Sequence, residues 1–101
     1  MTIQDCKIIL GKAICKYGIP VQKNICIEEM SELTKALLKL RRLNEADQKG
    51  VKGCEFQNNI LEEIADVQIT LDQMRLIYGN ITDQEEFKLN RLAQRLSGDT
   101  P

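Results

Sequence analysis

Residues 60–74 read Ile60-Leu61-Glu62-Glu63-Ile64-Ala65-Asp66-Val67-Gln68-Ile69-Thr70-Leu71-Asp72-Gln73-Met74. Apolar residues recur in this stretch at alternating intervals of four and three, at Ile60, Ile64, Val67, Leu71 and Met74. That interval is the period of one face of an α-helix. The sequence shows no comparable alternation of the kind that strands require, and it therefore predicts an all-α fold.

The helical period extends to four segments of the chain. They cover about Thr2–Tyr17, Val21–Glu45, Cys54–Tyr78 and, for the last, Thr82 to about Leu96. Gly18 and Pro20 separate the first two segments, and the glycines of the polar stretch 47–53 predict a turn before the third. The spacings of Thr2 with Asp5 and of Thr82 with Glu85 are those of capping boxes at helix starts.

Two acidic clusters lie within the second and third helical segments. Each sets two carboxylates three residues apart, Glu29 with Glu32 and Glu63 with Asp66, which places each pair on one helix face. In an antiparallel helix pair, facing positions have a constant sum, and 29 with 66 and 32 with 63 both give 95. The sequence therefore predicts an antiparallel central pair on which four carboxylates face one another.

Four facing carboxylates would repel one another and destabilise the fold unless a cation lies between them. Magnesium prefers oxygen ligands and manganese accepts them. The chain contains no histidine, and its four cysteines form no CxxC pair, which disfavours zinc. We expect a Mg²⁺ site, with Mn²⁺ as a possible substitute, and expect the cysteines to act as small apolar residues in a reducing compartment.

Composition excludes several classes of protein. The net charge is −1, and the chain has two tyrosines, two phenylalanines and no tryptophan. Neither a basic face for nucleic acid nor a platform for base stacking is therefore expected. No apolar run approaches the ~20 residues of a membrane span, and the start lacks the pattern of a signal peptide. We expect a cytoplasmic protein that binds neither nucleic acid nor membrane.

The residues around the acidic clusters resemble those of the MazG-like nucleoside triphosphate pyrophosphohydrolases, which belong to the all-α NTP pyrophosphatase superfamily. The signature of that family is EExxE followed by ExxD, and this chain has Glu28-Glu29-Met30-Ser31-Glu32 and Glu63-Ile64-Ala65-Asp66. Tyr17-Gly18-Ile19-Pro20 before the first motif and Lys88-Leu89-Asn90-Arg91-Leu92 near the end also match. The resemblance covers nearly the whole chain, 1–101, which we interpret as a single domain.

The resemblance implies a Mg²⁺-dependent enzyme that hydrolyses a nucleoside triphosphate between its α- and β-phosphates, with a possible role in cleansing the nucleotide pool. It assigns metal binding and catalysis to Glu29, Glu32, Glu63 and Asp66. Glu28 and Glu62 point away from that helix face and are expected to be bystanders. Lys88 and Arg91, three residues apart on the last helix, are candidates for binding substrate phosphates.

The family resemblance also implies a four-helix MazG-like bundle that assembles as a homodimer or homotetramer, because relatives build the pocket from more than one subunit. An oligomer would also support a domain this small. Two alternatives remain open: a dUTPase-like enzyme or phosphoribosyl-ATP pyrophosphohydrolase of the same superfamily, and a non-catalytic helical interaction module with acidic surface stripes.

Overall fold

The computed structural model describes residues 1–98, which form five α-helices. They are α1 (Ile3–Tyr17), α2 (Ile19–Arg41), α3 (Glu45–Lys49), α4 (Val51–Tyr78) and α5 (Thr82–Ser97). The prediction of an all-α fold is confirmed, since no strand occurs in this part of the chain. None of the helices within residues 1–98 is long and apolar enough to cross a membrane.

The start of α1 and the junction of α1 with α2 follow the sequence prediction. Thr2 and Asp5 form the reciprocal hydrogen bonds of a capping box, each backbone N–H donating to the other side chain at 3.0 Å. Gly18 ends α1 with a φ of +91°, a conformation that side-chain-bearing residues rarely adopt. Pro20 then occupies the first turn of α2, where its missing N–H leaves no helical hydrogen bond unmade.

Helices α2 and α4 form the centre of the structure and run antiparallel. Gln22 and Gln73 line one cavity between them, whereas Leu40 and Gln57 line another toward the opposite end of the pair. Helix α1 packs against both α2 and α4. The buried apolar residues all belong to the central pair: Cys26 and Ala36 from α2, and Ile60 and Val67 from α4.

The stretch predicted as a polar turn before the third helix contains the short helix α3 instead. The Asn44 side chain accepts a hydrogen bond from the backbone N–H of Asp47 at 2.8 Å and begins α3. The Gln48 side chain donates to the carbonyls of Leu40 and Leu43, at the end of α2, at 3.2 and 2.8 Å. Side-chain capping thus overrides the signal from the two glycines.

Helix α4 begins at Val51 and is therefore longer than the sequence predicted. Gly53, which we assigned to the turn, is a buried residue of its first helical turns. A Cβ atom at this position would collide with the backbone carbonyl of Gln48. Glycine is required here because α3 and α4 approach each other at backbone distance.

The predicted capping box at the start of α5 is wrong. The residue before the helix is Ile81, and its side chain makes no cap hydrogen bond. Thr82 instead donates from its backbone N–H and its hydroxyl to the Asn80 side chain, at 2.9 and 2.6 Å. The backbone N–H of Glu85, which would donate to the Thr82 hydroxyl in a capping box, donates to the Ile81 backbone carbonyl at 2.9 Å instead.

Helix α5 makes no extensive contact with helices α1–α4 within residues 1–98. All its residues are exposed, including the apolar ones, Phe87, Leu89, Leu92 and Leu96. The chain exposes 7985 Å² of surface, against about 5,800 Å² expected for a compact monomer of its mass. Its radius of gyration is 17.5 Å, against about 13 Å for a compact domain of 100 residues.

The expectation that the cysteines fill apolar space applies to one of them. Cys26 is buried in the α2–α4 core, whereas Cys6, Cys15 and Cys54 are exposed free thiols. Of the four cysteines, only Cys26 lies on the side of α2 that packs against α4, where it is almost fully shielded from solvent.

Candidate metal centre

Three carboxylates converge where the middle of α2 faces the middle of α4. Glu29 comes from α2, while Glu63 and Asp66 lie one turn apart on α4. One carboxylate oxygen from each residue lies within 4.8 Å of the other two. Antiparallel packing produces this arrangement because Glu29 and Asp66 occupy facing positions and Glu63 shares the helix face of Asp66.

Glu63 contributes an oxygen that has no partner among the described residues. Its Oε2 atom is buried, and no hydrogen-bond donor within residues 1–98 reaches it. A buried, unpartnered carboxylate oxygen is unfavourable because it has lost water without gaining a compensating interaction. A cation or donor from outside the described chain would remove that penalty.

The electrostatic environment of Glu29 also favours a bound positive charge. Desolvation raises the pKa of its carboxyl above the ordinary value of 4.5, and the negative charges of Asp66 and Glu63 raise it further. Glu32 and Glu28 contribute smaller effects in the same direction. The site therefore holds a proton more readily than an isolated glutamate would, and a cation would compete with that proton.

Glu32, the fourth predicted ligand, is not among the converging groups. Its Oε1 atom pairs with the ammonium of Lys35, one turn further along α2, at 3.4 Å. Both side chains are exposed, and an exposed pair of this kind contributes little to stability. Glu32 shares the helix face of Glu29, but its carboxylate points to Lys35 in this structure.

A cavity of about 210 Å³ adjoins the acidic cluster. Glu29 and Asp66 line one part of it, and Gln22 and Gln73 line another part. Both glutamines are only 4% exposed, yet neither side-chain amide forms a hydrogen bond with a protein group in residues 1–98. These buried polar residues belong to the same site as the carboxylates.

Sequence reasoning missed both glutamines, although a signal was present. The positions 22 and 73 also sum to 95, as the paired acidic positions do, so they face each other two helical turns from Glu29 and Asp66. Extending the register along the helix pair would have found them. A glutamine alone is weak evidence for a site, because it carries no charge and forms part of no metal-binding motif.

The remaining predicted residues lie away from the acidic cluster or point outward. Glu28 and Glu62 are exposed, as expected for bystanders. Lys88 and Arg91 are exposed on α5 and do not line the cavity beside Glu29. The Arg91 guanidinium lies 5.9 Å from the centre of the Phe87 ring, a cation–π distance. A phosphate-binding role for Lys88 and Arg91 stays a prediction.

The donor set fits a hard divalent cation. All three converging ligands are carboxylate oxygens, which Mg²⁺ and Mn²⁺ prefer. When the protein groups of a cation site are considered alone, we expect a buried oxygen without a partner and a carboxyl group with a raised pKa. Glu63 has such an oxygen, and Glu29 has such a pKa. Three protein oxygens would leave positions of an octahedral ion for water and for substrate oxygens.

Comparisons with protein-family models, with curated proteins and with solved structures find no match for this chain.

Proposed function

We propose that this protein is a Mg²⁺-dependent nucleoside triphosphate pyrophosphohydrolase, which converts a (d)NTP and water into a (d)NMP and pyrophosphate. The observation that carries the proposal is the convergence of Glu29, Glu63 and Asp66 within 4.8 Å, with one buried Glu63 oxygen unpartnered. The type of reaction is inferred from the EExxE and ExxD motifs, because they resemble those of the MazG-like enzymes.

In this proposal Glu29, Glu63 and Asp66 hold Mg²⁺, and Mn²⁺ would substitute for it at the same three residues. Glu32 joins them by leaving Lys35, a change of low cost because exposed ion pairs contribute only about 0–1 kcal/mol. Magnesium bound there supplies positive charge to the triphosphate and lowers the pKa of a coordinated water.

The cavity beside the cluster gives the substrate a place to bind. It runs from the carboxylates to a buried polar end, so the triphosphate and the nucleoside can occupy different parts of one site. Residues 1–98 of the single chain supply no basic side chain to this cavity. Lys88 and Arg91 would have to reach the phosphates from α5, whose position in an assembly is therefore important.

We further propose that the chain functions as a homodimer or homotetramer in which helices of different copies complete four-helix bundles. The exposed surface exceeds that of a compact monomer by about 2,200 Å². Obligate homodimers bury about 2,000–5,000 Å² in total, so an excess of this size on each chain matches such an interface. A second copy of the chain would pack over the apolar side of α5.

An alternative function is a non-catalytic helical interaction module in the same cytoplasmic setting. The exposed apolar residues of α5 favour it, because such surfaces mark binding sites for other proteins. This reading gives no role to the unpartnered Glu63 oxygen and predicts no effect of Mg²⁺ on stability. The enzyme gives that oxygen a role and is preferred.

The decisive experiment incubates the full chain with a panel of NTPs and dNTPs in millimolar Mg²⁺ and analyses the products. We expect pyrophosphate and a nucleoside monophosphate in equal amounts. Orthophosphate with a nucleoside diphosphate would refute the proposed cleavage position. Uncleaved substrate throughout the panel, with Mg²⁺ or Mn²⁺, would refute the enzyme.

Matched variants connect turnover to the cluster. We expect Asp66→Asn to abolish pyrophosphate release, with the helix content by circular dichroism unchanged. Glu62→Gln, an equal change of charge at an exposed position of the same helix, should retain activity. Glu32→Gln should also abolish turnover if Glu32 joins the cation in the complex. Full activity of Asp66→Asn would rule out the assigned site.

A further inference from the structure

The cavity beside the acidic cluster has a second polar end, which cation binding does not explain. Gln22 on α2 and Gln73 on α4 line it, and each is only 4% exposed. No hydrogen bond from either side-chain amide to another group of residues 1–98 is present. Neither amide is fully cut off from solvent, because within residues 1–98 the side-chain atom that is both buried and unpartnered is Glu63 Oε2. Each amide has two donors and two acceptor lone pairs, which a ligand in the cavity could satisfy.

The surroundings of the two amides indicate what would satisfy them. Ile25 and Ile69 provide apolar walls, and the hydroxyl of Thr70 donates to the Val67 carbonyl at 2.8 Å, which leaves its oxygen lone pairs available as acceptors. No charged residue lines this end of the cavity. A ligand suited to it is flat and uncharged, apolar on its faces, and carries hydrogen-bond donors and acceptors at its edge. A nucleobase has this chemistry.

The position of the amides relative to the carboxylates fits a nucleotide. Gln22 precedes Glu29 by seven residues of α2, a rise of about 10 Å. Gln73 follows Asp66 by the same number of residues on α4. A base at the amides would be separated from phosphates at the carboxylates by one pentose, which needs a gap of this order. Both ends open into the same cavity.

The size of the cavity favours a single ring. The volume of the whole cavity, from the carboxylates to the amides, is about 210 Å³. The part beside the amides is smaller than this, so one six-membered ring with its exocyclic oxygen or nitrogen fits there better than the fused rings of a purine. We propose that Gln22 and Gln73 form a base-binding subsite that selects pyrimidine nucleotides. This proposal rests on the nucleotide chemistry proposed for the adjacent carboxylates.

The paired amides also determine what the subsite does not select. A glutamine amide can rotate by 180° and exchange its donor for its acceptor. Gln22 and Gln73 can therefore serve both the amino and N3 edge of cytosine and the carbonyl and N3–H edge of uracil or thymine. Selection acts on pyrimidine against purine, with little discrimination among the pyrimidines.

Binding of the reaction products tests the subsite without any turnover. The full chain in Mg²⁺ is titrated with dCMP, dUMP, dAMP and dGMP, and the side-chain NH₂ signals of the glutamines are followed by ¹H–¹⁵N NMR. Gln22→Met and Gln73→Met identify the two signals by their loss. We expect dCMP and dUMP to shift both signals, and the purine nucleotides to leave them in place.

The same variants provide the affinity test. Either substitution should weaken dCMP and dUMP binding by about tenfold or more, the effect of losing hydrogen bonds to a base edge. Gln68→Met is the matched control, because Gln68 lies on α4, is exposed, and donates to Asp72 at 3.1 Å. It should bind both pyrimidine nucleotides as the wild type does. Methionine preserves side-chain length, and removal of an amide that forms no hydrogen bond within residues 1–98 should not unfold the chain.

The outcomes separate the subsite from the proposed reaction. Pyrophosphate release with equal purine and pyrimidine preference, and with unmoved Gln22 and Gln73 signals, would overturn the subsite and leave the enzyme standing. Pyrimidine-dependent shifts of both signals without pyrophosphate release would support the subsite and overturn the enzyme. Absence of binding by all four nucleotides would overturn the subsite directly.

Discussion

A carboxylate oxygen of Glu29 on α2 lies within 4.8 Å of one of Asp66 on α4. The two residues are distant in sequence and meet only because α2 and α4 pack antiparallel. Two like charges held this close oppose the packing that brings them together. The fold therefore places a repulsive pair at its centre, and a bound cation would convert that repulsion into attraction.

The first prediction concerns Glu29 in the absence of metal. Because the pKa of Glu29 is raised in the folded state, its stabilising contribution is fully present below about pH 4.5 and is lost as the pH rises through the raised pKa. At pH 7 in chelator, Glu29→Gln should therefore raise the urea midpoint of unfolding, and below pH 4.5 the two proteins should have similar midpoints.

Glu28→Gln is the control for this prediction, because Glu28 is exposed and is the smallest of the contributors to the shift at Glu29. It should change the midpoint less. A Glu29→Gln protein that is less stable than the wild type at pH 7 in chelator would show that the cluster is held by attractive contacts of Glu29 and is not repulsive.

The second prediction concerns the response to Mg²⁺. A ligand present at a hundredfold excess over its Kd stabilises the native state by about 2.7 kcal/mol, which corresponds to about 11–22 °C in Tm for a domain of this size. We expect Mg²⁺ to raise the Tm of the wild type, whereas Glu63→Gln should abolish most of the increase. Differential scanning calorimetry with Mg²⁺ or EDTA measures both.

Glu62→Gln controls for the loss of one negative charge beside Glu63 and should keep the metal response. An unchanged Tm of the wild type at millimolar Mg²⁺ and Mn²⁺ would count against the cation site. In EDTA, the stability of Glu63→Gln relative to the wild type is also informative. The variant should not be less stable, because it removes a buried, unpartnered carboxylate oxygen.

The third prediction concerns the corner between α3 and α4. Gly53→Ala should destabilise the protein by about 1–3 kcal/mol, because the added Cβ would meet the Gln48 carbonyl and force two backbones apart. Gly11→Ala is the matched control. No atom lies within 4 Å of a Cβ built there, and this change within α1 should stabilise by about 0.5–1 kcal/mol. Urea denaturation of both variants measures whether each change lowers or raises the free energy of unfolding.

Part of the information that determines the site is local in the sequence. Helical period predicts the major helices, and the constant sum of positions predicts that the carboxylates of Glu29 and Asp66 meet, as they do in the structure. The same sum did not determine Glu32, because the choice between the cluster and Lys35 depends on side-chain rotamers. Helix periodicity fixes the face on which a residue lies but leaves its rotamer open.

Two other differences have physical causes that the sequence pattern does not contain. The helix α3 forms because Asn44 and Gln48 cap helix ends, and such capping competes with the glycine signal for a turn. The helical pattern of α5 includes Leu92 among its apolar positions, but a pattern within one chain cannot identify a surface that covers this side chain. In residues 1–98 that side chain is 49% exposed.

The last prediction therefore concerns α5 and the proposed assembly. Leu89, Leu92 and Leu96 recur at i, i+3 and i+7 and share one face of the helix, and all are exposed in the single chain. If a second copy covers that face, Leu92→Glu buries a charge in an apolar interface and should dissociate the oligomer into monomers. Gln94→Glu adds the same charge on the opposite side of α5 and should leave the assembly intact. Sedimentation velocity of the three proteins measures the effect.

A monomeric wild type would contradict the proposal, whereas a Leu92→Glu monomer that still binds Mg²⁺ but no longer releases pyrophosphate would connect the assembly to the position of Lys88 and Arg91.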